Sequence, residues 1–349
     1  MTNPQRPSFA PADHPTVPRA KVGILFANLG TPDGTDYWSV RRYLSEFLSD
    51  KRVIKAASWK WQPILQGIVL TFRPQKSGAA YKTIWNEEKN ESPLLTITRD
   101  QTDAMRNRLQ AAYGDDVMVE FCMRYGNPSV QSRIEKMVEA GCQKIVYFPL
   151  YPHYSGSTWA TANDQLFRAL MKQEWQPAVR IVSPYFDRPD YIDCLASSVE
   201  QAYAAKEQAP EVLVCSYHGL PESYLTDGDP YHCHCQKTTR LLREKLGWDQ
   251  SKIVNTFQSR FGPAKWLRPY TVEEVARLAG NGVKRIAVIA PAFSADCIET
   301  LEEINEEIKE SFLHAGGEEF TYIPCLNDSP AHLDVLQTII SENLGGWVN

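Results

Sequence analysis

The chain has little that would let it cross a membrane, hold a nucleotide or grip a nucleic acid. Its longest apolar stretches, residues 63–70 and 286–293, fall well short of the roughly 18 residues a spanning helix needs. Neither a dinucleotide fingerprint nor a Walker-type phosphate loop is present, so no nucleotide and no organic cofactor is expected. A formal charge of −5, with no concentrated Lys/Arg patch and interleaved aromatics, provides no field for nucleic acid. The eight cysteines come without an export signal, and they read as reduced thiols or ligands rather than as a disulfide framework. Residues 1–20 carry five prolines and no apolar core segment, which points to a disordered lead-in and a cytoplasmic protein. What is there is ample core material. Of 349 residues 43% are hydrophobic, enough for about two domains of ordinary size.

Apolar β-type runs fall at 22–27, 117–122, 144–150 and 178–182, and again at 212–216, 252–257, 285–289 and 320–324. Helical patterns separate them, such as the stripe Val40, Tyr43, Leu44, Phe47 and Leu48. Buried strands alternating with helices imply an α/β fold of parallel sheets built from βαβ units. Four strands in each part of the chain imply two similar doubly wound halves, 21–176 and 177–326, with a cleft between them. The remainder, 327–349, opens on Asp328-Ser329-Pro330 and continues as an amphipathic helix through Leu333, Leu336 and Ile340, expected to pack back on the first half. One segment, 57–85, breaks the rhythm with Trp59, Trp61, Ile64, Ile68, Phe72 and Trp85. It reads either as a lip over an apolar ligand or as a buried helix, with membrane contact a third reading.

Open α/β sheets bind ligands at the carboxyl ends of their strands, and there the unusual residues sit. In the first half these are Asn28-Leu29-Gly30, Arg124-Tyr125-Gly126 and Tyr151-Pro152-His153. In the second half His218 follows the run Val212-Leu213-Val214, Gln258-Ser259-Arg260 follows the next strand, and Asp296 and Glu299 follow the third. A histidine held at a strand end has a pKa suited to moving protons near neutrality, although it is often only a hydrogen-bonded structural residue. Asp296, Glu299 and Glu303, spaced by three and four, are expected on one stripe of a helix, where they could hold a divalent cation or relay protons. Glu302, Glu306, Glu307 and Glu310 read as its solvated face.

Those residues carry a resemblance. From about residue 22 to 344 the chain resembles the ferrochelatases, which insert Fe(II) into a porphyrin at the end of haem synthesis. Ser216-Tyr217-His218-Gly219-Leu220-Pro221 resembles the family's catalytic histidine segment, and Phe293 through Leu301 resembles the segment with its essential glutamate. Gln258-Ser259-Arg260-Phe261-Gly262-Pro263, Trp266, Asn28-Leu29-Gly30 and Arg124-Tyr125 complete the pattern. The resemblance implies two Rossmann-like domains, each a mostly four-stranded parallel sheet flanked by helices, with the lip at 57–85. It implies His218 and Glu299 as catalytic and metal-binding residues, with Asp296 and Glu303 as supporting carboxylates. Asn28, Leu29, Arg124, Tyr125, Gln258, Ser259 and Trp266 would bind porphyrin, and Lys or Arg residues of the lip are further candidates for its propionates. Iron is then a substrate. No obligate protein partner is implied, and peripheral membrane contact would be made through the lip.

Three departures qualify the resemblance. Cys297 stands where many members have histidine, so no metal role transfers to it and a buried neutral thiol is expected. Gly156 stands where animal members place a cysteine ligand of an iron–sulfur cluster, so that form of cluster is not expected. His232-Cys233-His234-Cys235, placed in a loop, supplies only half of a four-ligand site, which makes a cluster or zinc at Cys233 and Cys235 the lesser reading beside reduced thiols. Protoporphyrin is the expected substrate. Coproporphyrin, a cobalt-inserting relative and a non-catalytic tetrapyrrole or metal carrier are the alternatives.

Overall fold

The computed structural model describes residues 11, 13, 18–262 and 264–348, so the expected lead-in lies largely outside the described residues. All eight apolar runs form strands: β1 (Lys21–Gly30), β2 (Val117–Tyr125), β3 (Cys142–Pro149), β4 (Ala178–Ile181), β5 (Val212–His218), β6 (Ile253–Gln258), β7 (Arg285–Ile289) and β8 (Glu319–Ile323). They build two four-stranded sheets of like order, β2-β1-β3-β4 and β6-β5-β7-β8. Every pairing is parallel. In each sheet the chain reverses direction beside the first strand, β1 or β5, which opens a crevice at the carboxyl ends of the strands.

Side chains along a strand alternate between faces, and the burial follows. Ile24 and Phe26 of β1 join Leu213, Cys215 and Tyr217 of β5 and Ala287 and Ile289 of β7 in one continuous core. Leu25 and Ala27 belong to a separate core on the outer face of the first sheet, and Val212 and Val214 to one on the outer face of the second. The shared core includes side chains of the helices Pro93–Tyr113, Pro189–Ala204 and Pro330–Leu344, among them Met105, Leu195, Leu336 and Ile340. A common core of this kind fixes the two sheets relative to each other.

The segment without a clean rhythm is helical throughout: Ser58–Ile64, a π-helical turn Leu65–Val69, then Leu70–Ile84. Pro63 and Pro74 lie inside the two helices. Each lacks an N–H and crowds the carbonyl four residues earlier, and a π turn between them lets the chain continue as a helix. Leu65 and Leu70 are fully buried, whereas Trp59 (75%), Phe72 (73%) and Ile68 (60%) are exposed. The segment is therefore anchored on one side and apolar on the surface on the other. No helix among the described residues is long and apolar enough to cross a membrane.

These positions predict opposite responses to truncation. Phe26, fully buried and 5.5 Å from the Phe148 ring, should cost about 3–5 kcal/mol of unfolding free energy on Phe26→Ala. Trp59→Ala should change it by about 0.5 kcal/mol or less. Urea unfolding of the two variants checks this contrast.

Candidate active site between the two sheets

His218 ends β5 in register with Gln258 at the end of β6. The chain then turns sharply, and Gly219 N–H donates to Gln258 O at 2.8 Å. A Cβ at Gly219 would lie 2.6 Å from that oxygen and 3.2 Å from the Trp266 ring, so the turn requires glycine. Trp266, nearly buried, pairs its backbone with Pro221. The His218 Nδ1 lies 2.7 Å from Gly219 O. A carbonyl only accepts, so Nδ1 carries a proton, and in the neutral ring the lone pair is on Nε2.

Opposite stands the helix Glu299–Ile308, which is π-helical over ten residues. With i→i+5 bonding a turn takes between four and five residues, so positions four apart stay close to one line. Thr300, Ile304 and Ile308 are the buried line, and Glu299 and Glu303 lie one residue before its first two members. Glu303 is held tightly. Ser259 N–H donates to Oε1 at 2.6 Å, Gln258 Nε2 to Oε2 at 3.0 Å, and the Ser259 hydroxyl to Oε2. Gln258 Nε2 also donates to Glu299 O at 2.7 Å. Burial pushes the Glu303 carboxyl above its ordinary range. Hydrogen bonds from Ser259 and Gln258 pull it back, as a proton taken up by His218 would, and Glu299 adds to the rise.

Asp296 does not join that line. It precedes the helix, is 6% exposed, and its carboxylate accepts from Thr300 Oγ1 (3.0 Å), Cys325 N–H (3.3 Å), Asn327 Nδ2 (2.7 Å) and the Tyr322 hydroxyl. The expected three-carboxylate stripe thus reduces to Glu299 and Glu303, because the helix begins too late to carry Asp296. Glu302, expected in solvent, is half-buried; burial first, then Glu307, Glu306 and Glu303, push its carboxyl up to about 7.

The other expected residues divide. Leu29 lines a cleft of about 250 Å³ with Tyr43, Tyr81, Ile84, Cys297 and Glu299. Asn28 is buried and donates to Thr98 Oγ1 at 2.9 Å, fastening β1 to the helix Pro93–Tyr113. Arg124 and Tyr125 are buried, and both bond Asp50: the Arg124 Nη2 forms an ion pair with it and the Tyr125 hydroxyl donates at 2.8 Å. Neither side chain lines that cleft, although Nη1 of Arg124 is buried without a hydrogen-bond partner. Cys297 is buried, and burial followed by the Glu299 charge pushes its thiol up, so it is a neutral thiol. Tyr43 and Tyr81, read as core from their helical spacing or not singled out, bring two phenols within electrostatic reach of Glu299.

The His-Cys-His-Cys run lies on a helix, Tyr231–Leu246, not in a loop. Pro230 at the cap and Asp229, which accepts from Tyr231 N–H at 3.0 Å, start that helix early. Residues two apart on a helix point in different directions: Cys235 is buried and Cys233 exposed, while the His234 ring stacks on Phe186 at 3.7 Å. Among the described residues no three His, Cys, Asp or Glu side chains converge as a metal site. Gly156 N–H donates to Asp229 at 2.7 Å, so this loop is closed by a carboxylate.

Two solved structures share the two-sheet architecture. The chain matches SirB from Bacillus subtilis with Fe3+ at a TM-score of 0.54 and 12% identity, over 94% of this chain and 99% of SirB. It matches the sirohydrochlorin chelatase SirB from Bacillus subtilis subspecies spizizenii in complex with cobalt at 0.51 and 11%, over 92% and 94%. The fold is therefore that of the chelatases. Within that class, a family model described as Ferrochelatase matches residues 21–344. The ferrochelatase of Rhodobacter capsulatus is 62% identical over 341 residues, 97% of each chain, and that of Agrobacterium fabrum is 57% identical over 341 residues, 98% of each. The chain belongs to the ferrochelatase family, and it is a metal chelatase of the lyase class.

The elevated Glu302 carboxyl sets a pH dependence. With its pKa raised from 4.5 to about 7, ionising this group in the folded protein costs stability; the penalty is absent below pH 4.5 and complete above about pH 7. Glu302→Gln should therefore raise Tm at pH 8, with the gain fading to nothing as pH falls below 4.5. A gain independent of pH in thermal melts would contradict the assignment.

Proposed function

We propose that this ferrochelatase inserts Fe(II) into protoporphyrin IX, with His218 and the Glu299/Glu303 line as its working groups. The observation that carries this is the Nε2 of neutral His218, free to accept, set near a half-buried carboxylate whose proton affinity is raised. A free-base porphyrin must be bent and lose two pyrrole protons before iron can enter. Nε2 accepts a pyrrole proton or takes iron as a ligand. Glu303, with a pKa above the ordinary carboxylate range, can receive a proton, and Glu299 beside it continues the line away from the ring. Imidazole with carboxylate and no further ligands suits brief handling of Fe(II) better than storage.

The lip supports the choice of protoporphyrin, which carries two propionates where coproporphyrin carries four. Its surface is apolar at Trp59, Ile68 and Phe72. Two of its cations reach the second half: Arg73 lies 4.7 Å over the Phe261 ring, and Lys76 acts on Glu302. Burial pulls the Arg73 guanidinium down, and an incoming carboxylate would relieve that desolvation. Tyr81 and Ile84 of this segment close the cleft beside Leu29 and Glu299, so a macrocycle enters there by displacing the lip. The same exposed side chains would let the lip rest on a bilayer surface, where an apolar porphyrin collects.

Anaerobic insertion assays, following loss of free-base fluorescence, test the reading. The wild-type enzyme should turn over protoporphyrin IX in preference to coproporphyrin III. His218→Ala should lower insertion by about 10²–10⁴-fold while porphyrin still binds. Preference for coproporphyrin would overturn the substrate. Equal loss of binding and turnover would overturn the role of His218.

A further inference from the structure

Asn327, in the loop after β8, uses every polar atom it has. Its N–H donates to Ser294 O at 3.1 Å, and its carbonyl accepts from Gln101 Nε2 at 2.8 Å and His332 Nδ1 at 2.6 Å. Its side chain pairs with Asp296 at two points: Nδ2 donates to Oδ2 at 2.7 Å, and Oδ1 accepts from Asp296 N–H at 2.8 Å. The backbone φ of Asn327 is 47°, in the left-handed region where asparagine is better tolerated than most residues. One residue thus joins the helix Pro93–Tyr113, the loop leading into the acid helix and the helix Pro330–Leu344.

The other carboxylate oxygen of Asp296 is taken by Thr300, Tyr322 and Cys325. Thr300 follows Glu299 directly and is the first buried residue of the π helix. A two-point pair fixes distance and rotation together, so Asp296 is pinned from behind by Asn327 and pins Thr300 in front. We propose that Asn327 is a positioning residue for chelation: acting through Asp296, it sets the start of the π helix and so the pose of Glu299 and Glu303 towards His218. The inference rests on the roles given above to Glu299 and Glu303. In it Asp296 works by accepting hydrogen bonds and carries no proton.

A reciprocal exchange tests this. Asn327→Asp sets two carboxylates against each other, and Asp296→Asn sets two amides against each other. The double variant Asp296→Asn/Asn327→Asp again places a donor opposite an acceptor, and the amide oxygen at 296 can still accept from Thr300, Tyr322 and Cys325. Each single variant should lower kcat/KM for Fe(II) about tenfold or more, with the porphyrin KM within about twofold and circular dichroism unchanged. The exchange should recover activity to within about threefold of the wild type. A double variant as impaired as Asp296→Asn means that position 296 needs its charge, which overturns the proposal; so does wild-type iron kinetics in both single variants. Glu299→Gln is assayed alongside. Full activity there removes the reading beneath the inference, whereas loss there without rescue by the exchange removes the inference alone. Should the exchange protein not fold, Gln101→Ala, which deletes one bond to the Asn327 carbonyl, must show the same selective loss on the iron side, and wild-type kinetics in it would overturn the proposal.

Discussion

The structure depends on a half-buried carboxylate that must be held in place. Glu303 is partly withdrawn from water, and desolvation alone would drive it to protonate or to swing out. Ser259 and Gln258 prevent the second outcome with three hydrogen bonds. Ser259 adopts a left-handed backbone, φ 62°, to bring its N–H and hydroxyl to the same carboxylate. Gln258 is in register with His218, so the groups that hold the acid are built on the strand pair that holds the histidine. Acid and base are thereby placed by one local arrangement, and neither can drift without the other.

That arrangement needs two sheets and a common core. The ends of β5 and β6 supply His218, Gln258 and Ser259, while β7 leads into the acid helix. The first half supplies the facing wall through Leu29, Tyr43 and Tyr81. Because the inner faces of both sheets join one apolar core, the wall and the edge carrying His218 are kept at a fixed separation, while the segment 57–85 is anchored along Leu65, Leu70, Pro74 and Tyr81.

Much of this was legible in the sequence. Short apolar runs bounded by turn residues announce strands, and all eight did so, although the edge strand β4 is only partly buried. The place of His218 at the end of β5 was readable, because the apolar run 212–216 stops just before it. The acid helix was readable as a helix but not as a π helix; its sign is that Ile304, Ile308 and Phe312 recur every four residues, a period longer than 3.6. The fate of Asp296 was not readable. Its partner Asn327 lies 31 residues on, and no local pattern joins them. Asp50, which binds Arg124 and Tyr125, is hidden for the same reason, being 74 and 75 residues away. The helix at Tyr231 did carry a signal, since Asp229-Pro230 is itself a start motif.

In the reading proposed here His218 and Glu303 act as one unit. A double-substitution cycle on kcat/KM with His218→Ala, Glu303→Gln and the pair measures this most directly. The pair should be scarcely worse than the more damaging single variant. Losses that multiply would mean that the two groups act independently and would contradict it.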